Sequence, residues 1–317
     1  MASQPLIRIG TRASKLARTQ SGHMQRRIAA ALGAPPEQAE EVAPLVLITT
    51  SGDRIQDRRL LEAGGKALFV KEIEEALLEG RIDCAVHSMK DVPAELPEGL
   101  VIGAVPERED PRDALVSRGG VRFDDLPQGA RLGTASLRRQ AQALYRRPDL
   151  DIQMLRGNVD TRLGKLDAGA FDAILLAAAG LNRLGLKDRI TELLDPEAAP
   201  PAPGQGALAL EVRKGDLGAD WLAALRHAPT GLAVAAERGA LEALEGSCRT
   251  AIGAYARMEQ GVLVLTVEAL SPDGADRFRR EASLRLGGST TEAEARALGL
   301  VLGKDIRTVA GDRIVWA

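Results

Sequence analysis

The sequence predicts an α/β fold made of two similar lobes, followed by a small α+β C-terminal domain. Three observations carry that prediction. Aliphatic strand-like runs alternate with helical patterns in the order that builds parallel βαβ units. The series occurs twice, separated by the turn-rich passage Pro106–Asp113. From about residue 228 the pattern changes to long alternating strands between two helices. The 317 residues exceed one ordinary core of about 100–200 residues, so two or three domains are expected. With 45% hydrophobic and 27% charged residues, the balance is globular and neither disordered nor collagen-like.

Each element has a local reason. Leu6–Ile9 is a short aliphatic run and predicts a strand. From Ser14 onward the chain predicts a helix, with Leu16, Met24, Ile28 and Leu32 on one face. Leu45–Thr49 predicts a second strand. Residues 67–79 predict a helix, with Phe69, Ile73, Ala76 and Leu77 on one face and Gly80 placed to end it. Cys84–Val86 returns to the sheet. After Pro106–Asp113, taken as a hinge strand, the second series begins near Ala114. It runs through a strand at Arg131–Leu132, a helix from Leu137, a strand at Ile152–Leu155, a helix from Thr161 and a strand at Ala173–Ala177, and closes at Pro196–Pro203. The third region predicts a helix holding Ala233–Leu244, strands at Val262–Val267 and Phe278–Leu286, and a terminal helix from Thr291.

Composition excludes several classes. There are 42 Lys and Arg against 44 Asp and Glu, a net charge of −2, so no global basic field is available for nucleic acid. Only Cys84 and Cys248 occur, without C-x-x-C spacing, which leaves no disulfide framework or structural zinc site and suits a reducing compartment. No secretion leader is recognisable, and the apolar runs fall short of the roughly 20 residues that span a bilayer. A cytoplasmic protein without membrane or nucleic-acid partners is expected. Gly204–Ala209 matches G-x-G-x-x-A, but it precedes a strand pattern, the reverse of a dinucleotide-binding turn. Gly64-Gly65-Lys66 and Gly164-Lys165 lack the rest of a phosphate loop. His23, His87 and His227 lack metal-ligand spacing, so no metal is expected.

The informative feature is arginine. From Arg131 to Arg189 there are eleven Lys and Arg against six Asp, a local excess of positive charge in a chain that is acidic overall. Arg146, Arg147 and Arg189 read as a solvated face. Arg138 and Arg139 differ, because they follow Gly133-Thr-Ala-Ser136 at a strand-to-helix junction where Ser136 can cap the helix and free N–H groups favour an anion. Arg156 precedes Gly157-Asn158 at another strand end. Guanidinium forks at strand ends suit a ligand with several carboxylates or phosphates. The first lobe supplies a matching edge in Arg12, Ser14, Lys66 and His87-Ser-Met-Lys90-Asp91. Asp91 beside Lys90 reads either as a carboxylate held ionised at a strand end or as a surface ion pair. Cys248, next to Arg249, reads either as a nucleophile or attachment point, since cations favour the thiolate, or as an inert small residue. Cys84 reads as core.

These segments together resemble the porphobilinogen deaminase, or hydroxymethylbilane synthase, family. The matching blocks are Arg8–Ser14, Gly65–Glu72, Val86–Pro93, Arg108–Asp113, Gly133–Gln140, Leu155–Val159, Pro203–Gly206 and Glu245–Cys248, in order over almost the whole chain. The resemblance implies head-to-tail joining of four porphobilinogen molecules into hydroxymethylbilane with loss of ammonia, for haem and related pigments. It also implies a dipyrromethane cofactor on a thioether to Cys248. Asp91 is the implied catalytic carboxylate, steadying the electron-poor azafulvene left when ammonia departs. Lys90, Asp91, Ser136, Arg138, Arg139, Arg162 and Arg183 would hold the cofactor, and Arg12, Ser14, Lys66, Arg156 and Gln205 the substrate and growing oligopyrrole. The implied fold is a pair of periplasmic-binding-protein-like lobes, residues 1–106 with 207–226 and residues 107–206, plus a cofactor-bearing domain at 227–317; a monomer is expected. Glu62, Ala135, Ser247 and Ala251 depart from the residues usual in the family. Two other readings account for part of the pattern: a non-catalytic two-lobed binder of a polyanionic small molecule, and a Schiff-base enzyme using Lys90.

Overall fold

A computed structural model describes residues 6–51, 70–244 and 250–314. Lys66, Phe69, Glu62, Ser247, Cys248 and Arg249 lie outside the described residues. Packing divides the chain into two compact units, residues 1–108 with 207–231, and residues 109–206 with 232–317. The passage expected as a hinge strand forms no regular element from 105 to 112, and the division between the units falls inside it.

In the first unit, β1 (Ile9–Thr11), β2 (Leu45–Leu47), β3 (Cys84–Ser88), β4 (Leu100–Ala104) and β10 (Leu208–Arg213) form one sheet in the order β2-β1-β3-β10-β4. β1 runs parallel to β2 and β3, and β10 runs antiparallel to β3 and β4. Helix α1 (Lys15–Ala31) places Met24 and Ile28 against Ile9 and Leu210 on one face, as its apolar stripe predicts. A short helix, α2 (Ala39–Val42), joins that layer. Helix α3 (Lys71–Leu78) covers the other face with Ile73 and Leu77 against Ile82 and Leu100. The first strand starts later than Leu6–Ile9, because ladder pairing begins at Ile9, opposite Leu45 and Cys84. Cys84 is core, and burial pushes its thiol pKa well above the ordinary value.

The second unit repeats the plan. β5 (Asp113–Ser117), β6 (Arg131–Gly133), β7 (Asp151–Gln153), β8 (Ala173–Ala177) and β9 (Glu192–Leu193) form a sheet in the order β7-β6-β8-β5-β9. Again three strands are parallel, and β5 is antiparallel to β8. Helices α4 (Leu137–Arg146), α5 (Val159–Asp167) and α6 (Ala178–Arg183) flank it, with Leu163 and Leu166 on one face and Phe123 and Ala143 on the other. A separate antiparallel sheet, β11 (Ala251–Glu259), β12 (Val262–Leu270) and β13 (Arg277–Arg285), follows. Leu263, Leu265 and Val267 alternate onto the face covered by α8 (Ala228–Ala243) and α9 (Glu292–Ala310), while α7 (Asp220–Ala223) belongs to the first unit. Thr291 and Glu294 form a capping box at the start of α9. Strand β11 was not expected from its Ala- and Gly-rich sequence; nine residues of pairing with β12 impose it.

Within the second unit, Glu237 of α8 ties the return loop, residues 200–207 leading into β10, to this sheet. Its buried carboxylate accepts from Gly204 N at 2.7 Å and from Ala256 N at 2.9 Å. Gly206, at φ +87°, must be glycine on a second ground: a Cβ there meets Glu109 O at 2.3 Å.

Candidate active site

The first unit gathers its candidate residues where parallel strands end. β1 leads into Arg12 and the Ser14 cap of α1, whose hydroxyl accepts from Ala17 N at 3.3 Å. β3, alongside it, leads into a single 3-10 turn, Met89–Asp91. This is the edge at which ligands bind in parallel α/β sheets. Met89 N donates to Ala207 O at 3.0 Å and anchors the turn to the start of β10. Asp91 is half-buried, and its carboxylate accepts no hydrogen bond among the described residues. Gln20 was missed by the sequence reading. It is buried on α1, and its Nε2 donates to Ser88 Oγ at 3.0 Å, fixing the helix against the residue that precedes the turn. The signal was present, since Gln20 interrupts the apolar stripe of α1 between Leu16 and Met24.

Behind the same strand end lies a buried acid–imidazole cluster. His87 Nε2 and Glu211 Oε2 are 2.8 Å apart, and both side chains are buried. Glu74 of α3 is buried near them, and its pKa is raised to about 7 by burial first, then by the Glu211 charge, with His87 opposing.

In the second unit, Ser136, Arg156 and α6 follow the carboxyl ends of β6, β7 and β8. Ser136 caps α4 as expected, accepting from Arg139 N. Arg138 and Arg139 are not open forks. Both are buried and converge on Asp113, the first residue of β5, which the register sets opposite Ala177 at the end of β8. Burial by itself raises a carboxyl pKa, but the charges of Arg138 and Arg139 and hydrogen bonds from Arg138 and Gln205 hold Asp113 far below the carboxylate range. Burial lowers the Arg139 pKa, with Asp113 opposing. Gln205 is likewise enclosed, its Nε2 donating to Pro111 O at 2.7 Å and Asp113 Oδ1 at 2.8 Å. Its amide braces the cluster.

Arg162 donates from Nε to Gly157 O at 2.8 Å, in the turn that Asn158 caps. Arg183 donates from Nη2 to Gly206 O at 2.6 Å; burial lowers its pKa and Glu109 opposes that. The solvated-face reading holds for Arg146 and Arg189, which pair with Asp124 and Asp167. Arg147 instead clamps a loop through Asp149 and the carbonyls of Asp124 and Leu126.

Two donors bear on the dipyrromethane that the sequence implies. Arg138 Nε and Arg156 Nη1 are buried, and neither meets an acceptor among the described residues. Unmet guanidinium N–H groups, one of them in the net positive Arg138–Arg139–Asp113 cluster, fit ligand carboxylates. The residues present therefore fit a carboxylate-rich group.

Comparison with known proteins agrees. Residues 7–220 match the family model described as porphobilinogen deaminase, dipyromethane cofactor binding domain, and residues 231–308 match that of the porphobilinogen deaminase C-terminal domain. A porphobilinogen deaminase of Phenylobacterium zucineum is 66% identical over 99% of this chain and 100% of its own length. One of Caulobacter vibrioides is 65% identical over 99% of both. Among solved structures, a Salmonella typhimurium periplasmic binding protein with high arginine specificity is similar at TM-score 0.39 and 14% identity, over 70% of this chain and 92% of that one. With two family models matched in order and near-full-length relatives at about two-thirds identity, the chain belongs to the porphobilinogen deaminase family.

Proposed function

We propose that this chain joins four porphobilinogen molecules head to tail, with water as the final acceptor, giving hydroxymethylbilane and four molecules of ammonia. The observation that carries the reading is the set of basic groups at the strand ends of the second unit, with Arg138 Nε and Arg156 Nη1 buried and unmet among the described residues. Each porphobilinogen carries an acetate and a propionate, so a growing oligomer accumulates negative charge that fixed cations must offset. Lys90, Ser136, Arg138, Arg139, Arg162 and Arg183 hold the carboxylates of dipyrromethane, Arg139 through the Asp113 cluster it shares with Arg138, and Arg12, Ser14, Lys66, Arg156 and Gln205 those of substrate and product chain, Gln205 through the same cluster. When bound through Cys248, dipyrromethane supplies the pyrrole terminus from which the chain grows.

Asp91 is the catalytic carboxylate. Its half-buried position at the end of β3, with no competing hydrogen bond among the described residues, leaves it able to face a pyrrole N–H. An ionised carboxylate there stabilises the positive charge that develops as ammonia leaves, and can take or return the proton of that N–H. Gln20, through Ser88, and Met89, through Ala207, hold the turn that presents it.

The division into 1–106 with 207–226, 107–206 and 227–317 belongs to the same proposal; the separate core of the three-stranded sheet supports its last member. No helix among the described residues is long and apolar enough to cross a membrane. The chain acts as a monomer in the cytoplasm; the two widely spaced cysteines support the compartment.

Intact-mass measurement tests the function. The expected result is an added mass of two linked pyrrole units on Cys248, absent from Cys248→Ser. An unmodified protein that gains no such mass from porphobilinogen, and makes no product, would favour a binder of polyanionic small molecules. Trapping of Lys90 by borohydride would favour a Schiff-base enzyme.

A further inference from the structure

The arginines expected to meet ligand carboxylates already share one. Asp113 is 2% exposed, and Arg138 and Arg139 are 4% and 6% exposed. Asp113 Oδ2 accepts from Arg138 Nη1 at 2.6 Å. Its Oδ1 accepts from Arg138 Nη2 at 3.2 Å, Arg139 Nε at 3.0 Å, Arg139 Nη2 at 2.8 Å and Gln205 Nε2 at 2.8 Å. Every other acceptor of the two guanidiniums is neutral: the carbonyls of Pro200 and Leu175 and the amide oxygens of Gln142 and Gln205.

Two buried cations thus face one buried anion, and one positive charge is left over among the described residues. A buried charge without a counter-ion is costly, and so is a buried N–H without an acceptor. Both deficits sit on the same group, because Arg138 Nε is the N–H that remains unmet. One added carboxylate removes both.

We propose that Asp113 is a positioning residue: a resident carboxylate that orients Arg138 and Arg139 and cancels one of their charges, so that the pair admits one ligand carboxylate, at Arg138 Nε. The proposal rests on the functional reading above, in which that carboxylate is carried by a pyrrole. Asp113 remains ionised across the neutral range, since its neighbours hold its pKa far below that of an ordinary carboxyl. Its place at the start of β5, opposite the end of β8, keeps this fixed anion at the edge where the parallel strands end.

The test is the rate at which cofactor-free protein, made in cells that produce no porphobilinogen, gains the mass of two pyrrole units when given porphobilinogen. Thermal melts report the folded fraction alongside. Asp113→Asn keeps the shape of the side chain but not its charge, and should gain that mass at least about tenfold more slowly per folded molecule, the scale set by one misplaced charge-assisted hydrogen bond. Arg138→Lys keeps a cation against Asp113 but has no Nε–H, and should slow uptake similarly; it serves where Asp113→Asn does not fold. A lower melting temperature with an unchanged uptake rate per folded molecule, in either variant, overturns the proposal and leaves Asp113 structural. Wild-type protein that gains no pyrrole mass overturns the functional reading and the proposal together, and so separates the two failures.

Discussion

Replacing Glu74 with glutamine should flatten the dependence of stability on pH. Glu74 is buried on α3 beside the His87–Glu211 pair, with Glu75 adjacent in sequence. Burial raises its pKa from 4.5 to about 7, the Glu211 and Glu75 charges add to this, and His87 works against it. The folded state therefore holds a proton that the unfolded chain releases. The stabilisation linked to that proton is complete below about pH 4.5 and is lost as the pH rises to about 7, after which it stays flat. The full interval corresponds to roughly 3 kcal/mol, and partial hydration of the cluster reduces it to about 1–2 kcal/mol. Urea denaturation of wild type and Glu74→Gln at pH 5, 6, 7 and 8 measures this as a difference of differences, which removes the pH-independent effect of the amide. The variant should gain about 1–2 kcal/mol on wild type between pH 5 and pH 8. A wild-type-to-variant difference that stays constant over that range would refute the argument, because the carboxyl would then titrate alike in both states.

Further outcomes follow from other parts of the molecule. Asp91→Asn, nearly isosteric, should keep the fold and the covalent pyrrole mass while lowering kcat about 100-fold or more, and near-normal turnover removes Asp91 from the mechanism. Gly299→Ala should destabilise the α8–α9 crossing by about 3 kcal/mol, since a Cβ there lies 1.9 Å from Ala236 O; an unchanged melting temperature would show that the helices separate without cost.

Much of the plan was legible in the chain itself. The doubled strand–helix series, the helix starts at Ser14 and Thr291, the cap at Ser136, and the apolar faces of α1 and α3 all depend on local periodicity and short-range hydrogen bonds. The basic groups of the second unit were legible as an excess over nearby acids. Their partners were not. The acid that Arg138 and Arg139 share lies 25 and 26 residues away, in a turn-rich passage where nothing local pairs it with them. Gln205, 92 residues from Asp113, joins them because the return loop passes the start of β5. His87 and Glu211, 124 residues apart, meet because β10 pairs back onto β3.

The sequence alone determined the doubled strand–helix series, the family to which the chain belongs, and the residue types available for holding a carboxylate-rich pyrrole chain, because each is written in local pattern or motif. Tertiary structure alone decided which cations are already neutralised and which N–H groups remain unmet. Those depend on distances between residues remote in the chain and on their removal from water, and a one-dimensional pattern carries neither.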